Sequence, residues 1–449
     1  MPVSPRSDRW TSRRGACRRG SWRWTKRSWL PEGDVAMDLL AYEPVGDKKN
    51  SEFFNEYRIK IYERRQASGV QDLLGAMRAL VLQVETGDAL PYLEELYHTT
   101  PYRLESVRLG ETHKTYLLRV CPEQPILIVL EPLSAQFEDY ITRLNELYPL
   151  ARQKRNARYV GEIFQTKELK ATRDTLESHN IRFEYPGEVE NPFYATERFL
   201  WTFPSDNTTN RVGYTDSALE DLAELPLGET LQLTAEEQAR LDKADAFADE
   251  NGTRGLILGI DHMATRILAG EREDAILEFL TMSPYYFWGA YNIATQNSST
   301  NVNRNPNVDD DKKSPAKVFT ANNTPSFVNS FEGLPMPTED FVRNFGRRMH
   351  HIAQEVKDGD HASGEKNIDF VVATLKDSGV PFLAQVVGEC TDKPNLKQIF
   401  SKHSPYTILI TEYVERCFGY EGFFTKDNVA ALTQAAGQDE HYKHGNVFD

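Results

Sequence analysis

Beyond Met37 the spacing of apolar residues switches repeatedly between the two-residue alternation of a strand and the longer period of an amphipathic helix. MRALVLQVE reads as a strand and DALPYLEELYHTT as a helix. RLESVRLGETHKTYLLRV and PILIVLEPL add three strands, completing a β, α, β, β, β unit. ARYVGEIFQ opens the pattern again, followed by the helix LKATRDTLESHN and the strands IRFEY and ERFLWTF. A third opening, LILGIDHMATRI, leads into REDAILEFLTMSP and YFWGAYNI. A fourth, MHHIAQEV, runs through NIDFVVATLKDSG and VPFLAQVV to LKQIFSK and YTILITEYVER. Four related units in two pairs give an expected α+β fold of tandem βαβββ modules, with a cupped mixed sheet in each pair.

This organisation divides the chain. Residues 1–36 have no hydrophobic period and read as a disordered or mis-annotated extension, with Met37 the expected true start. Residues 37–215 form the first pair of units, 216–254 an acidic, helix-prone connector, and 255–449 the second pair. Between the third and fourth openings lies QNSSTNVNRNPNVDDDKKSPAKVF, dense in Asn, Ser, Asp and Pro. Its aspartates Asp309 to Asp311 lack the alternating acids and glycine of a calcium loop, so the segment is expected to be solvated and mobile.

A chain of 449 residues with 40% hydrophobic and 11% aromatic content has ample core for two or more globular units. Its longest apolar runs, such as PILIVL, have strand length, so no membrane partner is expected. Charge is uneven. Residues 1–36 hold nine basic side chains against three acidic ones, and with a net charge of −15 for the whole chain the remainder carries −21. Such an acidic body argues against a nucleic-acid partner. The four cysteines, Cys17, Cys121, Cys390 and Cys417, include no CxxC pair. Neither a disulfide framework nor a thiolate zinc site is expected, and a reducing, cytoplasmic compartment is.

The chemistry-bearing candidates lie in the second pair of units: His262 in GIDHMATRI, His351 in MHHIAQEV and Glu412 in TILITEYVER. Two imidazoles and one carboxylate form the set that holds Fe(II) on one face and leaves the other positions open for substrate and oxygen. The three residues are 89 and 61 positions apart, so they come from separate strands of a cup and not from one helical face. Superposing the four openings puts His262 at the place of Ala79 and His351 at that of Tyr159, so ligands are expected only in the C-terminal pair. His350 and His351, being adjacent in a strand, are expected to point to opposite faces. A lone strand histidine is usually structural. Glu412 is the strongest of the three, because a carboxylate in an apolar strand is costly unless it is paired or bound to a cation.

These segments, with FGYEGFFTKDNVAAL and the closing HYKHGNV, resemble the 4-hydroxyphenylpyruvate dioxygenase family of the vicinal oxygen chelate superfamily, most clearly over the last 200 or so residues. The resemblance implies a mononuclear Fe(II) centre at His262, His351 and Glu412. It also implies an aromatic α-keto acid and O2 as small-molecule partners, with oxidative decarboxylation and ring hydroxylation to a homogentisate-type product in tyrosine catabolism. By position it puts Phe400 and Phe424 about the substrate ring, Gln398 near the iron and Asn329 near the substrate. Ordinary core packing would account for the phenylalanines equally well. A homo-oligomer is expected.

The chain also departs from the family pattern. Lys317 stands where the family has serine, Met336 and Pro337 fall near a family glutamine, and His350 replaces a glutamine before the second ligand. An altered substrate pocket is therefore expected. A 4-hydroxymandelate synthase-like enzyme, an extradiol ring-cleaving dioxygenase with Tyr406 near its carboxylate, and a non-catalytic small-molecule-binding module are the alternatives.

Overall fold

The computed structural model describes residues 37–47, 50–185, 199–216, 227–306, 314–325 and 334–437. The N-terminal extension, Asp309 to Asp311, Asn329 and the closing HYKHGNV lie outside them.

A two-residue strand, β1 (Val45–Gly46), and the helix Glu52–Ser68 precede the first unit. That unit opens with β2 (Leu74–Gln83), crosses through the helix Ala89–Thr99 and returns as β3 (Arg103–Leu109), β4 (His113–Arg119) and β5 (Ile126–Pro132). The second has β6 (Arg158–Thr166), the helix Leu169–Ser178, β7 (Phe199–Trp201) and β8 (Arg211–Thr215). β9 (Glu229–Leu231) and the helix Ala235–Glu250 connect the halves; a capping box between Thr234 and Glu237 starts that helix. The third unit comprises β10 (Ile257–Arg266), the helix Arg272–Met282, β11 (Tyr286–Ile293), β12 (Ser298–Arg304) and β13 (Ala316–Asn322). The fourth comprises β14 (Arg348–Val356), the helix Asn367–Asp377, β15 (Asn395–His403) and β16 (Ile410–Cys417), and the helix Lys426–Gly437 follows.

These strands make two eight-stranded mixed sheets, ordered β7-β8-β6-β2-β5-β4-β3-β9 and β1-β11-β12-β13-β10-β14-β16-β15. One rule builds both. Each unit's opening strand runs parallel to its own last strand and antiparallel to the opening strand of its neighbour. The α+β tandem-module architecture is the one the hydrophobic pattern predicts.

Several local expectations change. IRFEY and VPFLAQVV are not strands; each touches its sheet only through isolated bridges, Phe183 to Thr202 in one and Phe382 to Ser401 and Val387 to Gln398 in the other. The Asn- and Ser-rich stretch expected to be a solvated loop instead supplies β12 and the start of β13, both buried. Its polar side chains satisfy themselves inside the sheet: Asn301 Nδ2 donates to Ser299 Oγ and Phe319 O, and Asn303 Nδ2 donates to Lys317 O. Cys390 and Cys417, expected to be reduced thiols, form a disulfide whose Cα atoms are 5.9 Å apart. The helix Glu52–Ser68 packs on the C-terminal sheet's side of the molecule. Phe54 meets Phe287 edge-on, and Arg65 donates to the carbonyls of Leu280, Pro284 and Tyr285.

The two sheets share one apolar core running from Met77 and Phe164 to Met263 and Phe319. Within it, Lys317 Nζ and Glu162 Oε1 pair at 2.8 Å, with both side chains 1% exposed. Lys317 therefore belongs to the seam between sheets and not to a substrate pocket. Strand parity explains this, because the cavity described below is lined by its neighbour Val318 and by Thr320.

Candidate metal centre

His262 on β10, His351 on β14 and Glu412 on β16 sit on three adjacent strands, in register His351 to Ala264 and Glu412 to Ala353. Glu412 Oε2 lies 3.1 Å from His262 Nε2 and 3.2 Å from His351 Nε2. The set's donor atoms all fall within 4.8 Å of one another, and the three side chains are buried.

The hydrogen-bond geometry sets this cluster apart from an ordinary ion pair. His262 Nε2 and both oxygens of Glu412 have no hydrogen-bond partner among the described residues despite their burial. Buried polar atoms left in that state are rare, and a cation is the usual resolution for a carboxylate. The donor set of two imidazole nitrogens and one carboxylate fits a ferrous ion.

Two β-bulges prepare the histidines. The pairing of β10 with β14 slips between Ile260 and His262 and again between Ala264 and Thr265, so Asp261 and His350 are the extra residues. Each bulged side chain bonds the ligand histidine that follows it. Asp261 Oδ1 accepts from His262 Nδ1 at 2.8 Å, and the Nδ1 atoms of His350 and His351 are 2.8 Å apart. Both contacts hold the ring with Nε2 facing the centre. The expectation that His350 and His351 point to opposite faces thus fails: strand parity does not survive a bulge, and His350 lines the same cavity.

Charges around the cluster are strongly coupled. Burial disfavours the ionised Asp261, but Arg416 and His262 overcome it and hold the carboxyl well below its usual range. Burial would lower His262, yet Glu412 and Asp261 push it up to about 9. Burial raises Glu412, and it lowers His350 and His351 with help from neighbouring positive charge.

A cavity opens beside the three residues, with His351 and Glu412 in its wall. Gln398, Phe400 and Phe424 are among its lining residues, with Phe400 4.8 Å from the His351 ring and Phe424 5.2 Å from that of His262. Gln398 Oε1 is buried without a hydrogen-bond partner among the described residues. Sequence reasoning missed Arg266, Ser298, Thr300, Thr320 and Thr338 in the wall; only the shared face of Arg266 and His262 along β10 could have flagged the first. Tyr406 packs on Tyr92 and is not among the lining residues.

The N-terminal sheet has the same layout without the chemistry. Ala79 pairs with the first residue of β5 as His262 pairs with the first of β13. Val81 faces Gly161 as Ala264 faces His351, and Trp201 faces Gly213 as Phe400 faces Glu412. The counterparts of the triad are thus Ala79, Gly161 and Gly213; Gly161 lies two residues beyond the expected Tyr159, because the bulges shift the register. A Cβ on Gly213 would come within 3.0 Å of the buried Trp201 ring.

No protein-family model and no curated protein matches this sequence. Solved structures do. A mutant 4-hydroxymandelate synthase from Streptomyces coelicolor superposes with a TM-score of 0.54 at 16% identity, over 81% of this chain and 98% of that one. A xylose isomerase-like TIM barrel/4-hydroxyphenylpyruvate dioxygenase fusion protein superposes with a TM-score of 0.51 at 13% identity, over 84% of this chain and 58% of that one. The likeness is one of fold: two eight-stranded mixed sheets, each built from a pair of modules.

Proposed function

We propose that this chain is an Fe(II)-dependent dioxygenase acting on an aryl α-keto acid, with the homogentisate-type reaction as the leading form. The convergence of His262, His351 and Glu412 beside an aromatic-walled cavity carries the reading. Likeness of fold to a 4-hydroxymandelate synthase and to a 4-hydroxyphenylpyruvate dioxygenase fusion supports it.

His262, His351 and Glu412 would hold the metal. Iron bound there supplies a chelation point for the keto acid and a means of activating dioxygen. Asp261 and Arg416 fix the His262 ring, and His350 fixes that of His351. Phe400 and Phe424 offer faces and edges for an aromatic ring and exclude water from its surroundings. Gln398 offers a buried carbonyl oxygen and an amide to the substrate's polar head. Asn329 is proposed as a further substrate contact on the resemblance alone.

The test is anaerobic Fe(II) loading followed by oxygen-electrode measurements with 4-hydroxyphenylpyruvate, phenylpyruvate and catechols. Uptake with an arylpyruvate is the expected result. Uptake confined to catechols would replace the reading with extradiol cleavage, and iron binding without uptake would leave a binding module.

A further inference from the structure

The disulfide between Cys390 and Cys417 joins a surface segment to the strand that carries Glu412. Cys417, the last residue of β16, is fully buried. Cys390 is partly exposed, and Glu389 and residues 391–394 beside it are exposed. A reagent in solution therefore reaches the bond from the Cys390 side.

The segment that Cys390 anchors backs one wall of the cavity from outside. β15 lies at the edge of its sheet, and the stretch from Leu383 to Cys390 covers that edge. Leu383 N donates to Phe400 O at 3.0 Å, Val387 N to Gln398 O at 2.9 Å and Gln398 N to Val387 O at 3.0 Å. Leu383 and Val387 also pack against Phe400, Ile410 and Leu432. Of these, Gln398, Phe400 and Leu432 line the cavity. After Val387 the chain turns at Gly388, whose φ is +91° and where a Cβ would strike Leu396 O. Asn395 Nδ2 then donates to Glu389 O at 2.7 Å, and the disulfide follows. Of these ties only the disulfide is covalent, and it reaches past β15 to β16.

We propose that the Cys390–Cys417 bond is a reversible redox site that sets the rigidity of the Gln398–Phe400 wall, and that a dithiol reductant opens it. One thiolate of the reagent attacks Cys390 Sγ, the S–S bond breaks, and Cys417 leaves and takes up a proton. The reagent's second thiol then displaces Cys390, so two electrons and two protons pass to the protein and the reagent becomes a disulfide. Without the cross-link the pairing of Val387 with Gln398 rests on backbone bonds at a sheet edge, and such pairings open locally. β16 is flanked by β14 as well as β15, so Glu412 keeps its place. The effect on substrate binding rests on the proposed function; the effect on the wall does not.

The test compares the full chain as purified with the same chain reduced by dithiothreitol and desalted anaerobically, with alkylation and mass spectrometry to show which cysteines are open. After reduction, hydrogen–deuterium exchange at Val387 and Gln398 should be about 10-fold faster or more, while Ala353 on β14 stays within about twofold. Cys390→Ser should match the reduced chain and respond no further to the dithiol. In anaerobic titrations, reduction should leave Fe(II) affinity within about twofold and weaken 4-hydroxyphenylpyruvate binding about 3- to 10-fold. Alkylation of both cysteines without the dithiol overturns the inference, as does unchanged exchange at Val387 and Gln398. Equally faster exchange at Ala353 overturns it by marking a cross-link of general stability, and a dithiol response that persists in Cys390→Ser overturns it by belonging to another bond. Faster exchange with substrate affinity unmoved overturns the link from bond to cavity. Should the variant fail to fold, the natural chain with and without the dithiol still decides. Absence of 4-hydroxyphenylpyruvate binding in both states would overturn the proposed function and leave the exchange rates to judge the bond.

Discussion

Asp261 is held by Arg416 through two bonds, Nε to Oδ2 at 2.8 Å and Nη2 to Oδ1 at 2.7 Å, while its Oδ1 also accepts from His262. One carboxylate thereby fixes an imidazole and is itself fixed by a partly buried guanidinium on the strand that carries Glu412. Asp261→Asn should keep the shape but loosen both bonds. Metal affinity should fall about 10- to 100-fold, measured by anaerobic titration against a competing chelator. Undiminished affinity would remove Asp261 from the centre.

Glu412 is 1% exposed and has neither oxygen in a hydrogen bond among the described residues. Glu412→Gln should abolish metal retention and oxygen uptake while leaving the chelator-treated protein at least as stable, because a buried charge is gone. Metal content by elemental analysis and urea unfolding check the two halves. A loss of more than about 2 kcal/mol in the metal-free protein would recast Glu412 as a structural residue.

Lys317 and Glu162 are a buried pair at the seam between sheets. Removing one partner strands the other, so Lys317→Met should cost about 3–5 kcal/mol; the double variant with Glu162→Gln should recover most of that. KM should not move in either variant. A KM change confined to Lys317→Met would return that residue to the substrate pocket.

His113 is buried in the N-terminal sheet against Thr112 Oγ1 and Gln83 Oε1, and burial lowers it to about 4, with Asp139 opposing. The unfolded chain binds this proton near pH 6.5 and the folded chain only near 4. Stability from neutral His113 is therefore fully present above pH 6.5 and lost as pH falls toward 4, by up to about 3 kcal/mol. Urea midpoints at pH 7, 5.5 and 4.5 should decline, and His113→Gln should flatten that decline. An unchanged slope would sink the assignment.

How far the chain could be read without coordinates follows from what strand periodicity encodes. Glu412 stands out because a carboxylate in an apolar strand carries a burial cost, whereas only the family resemblance separates His351 from the adjacent His350. The four openings were legible because β2, β6, β10 and β14 are nine or ten residues long and each is followed by a helix-period segment. Bulges escape because one extra residue leaves no compositional mark, which is why His350 and His351 are expected on opposite faces and Tyr159, two residues from Gly161, is expected as the counterpart of His351. β12 escaped because Asn and Ser signal loops when nothing shows that their amides are satisfied across a sheet. The docking of Glu52–Ser68 on the C-terminal half depends on contacts more than 200 residues distant, such as Arg65 with Tyr285, and local pattern carries no trace of them.

Trp201 fills the N-terminal bowl at the height where Phe400 borders the cavity of the other, and Gly213 leaves it the room. A carboxylate placed at position 213 would collide with the indole before it met any ion. Ala79, Gly161 and Gly213 offer no ligand where the other sheet has its triad, so each polypeptide should titrate with a single equivalent of iron, and a second metal site could be built there only by emptying that bowl first.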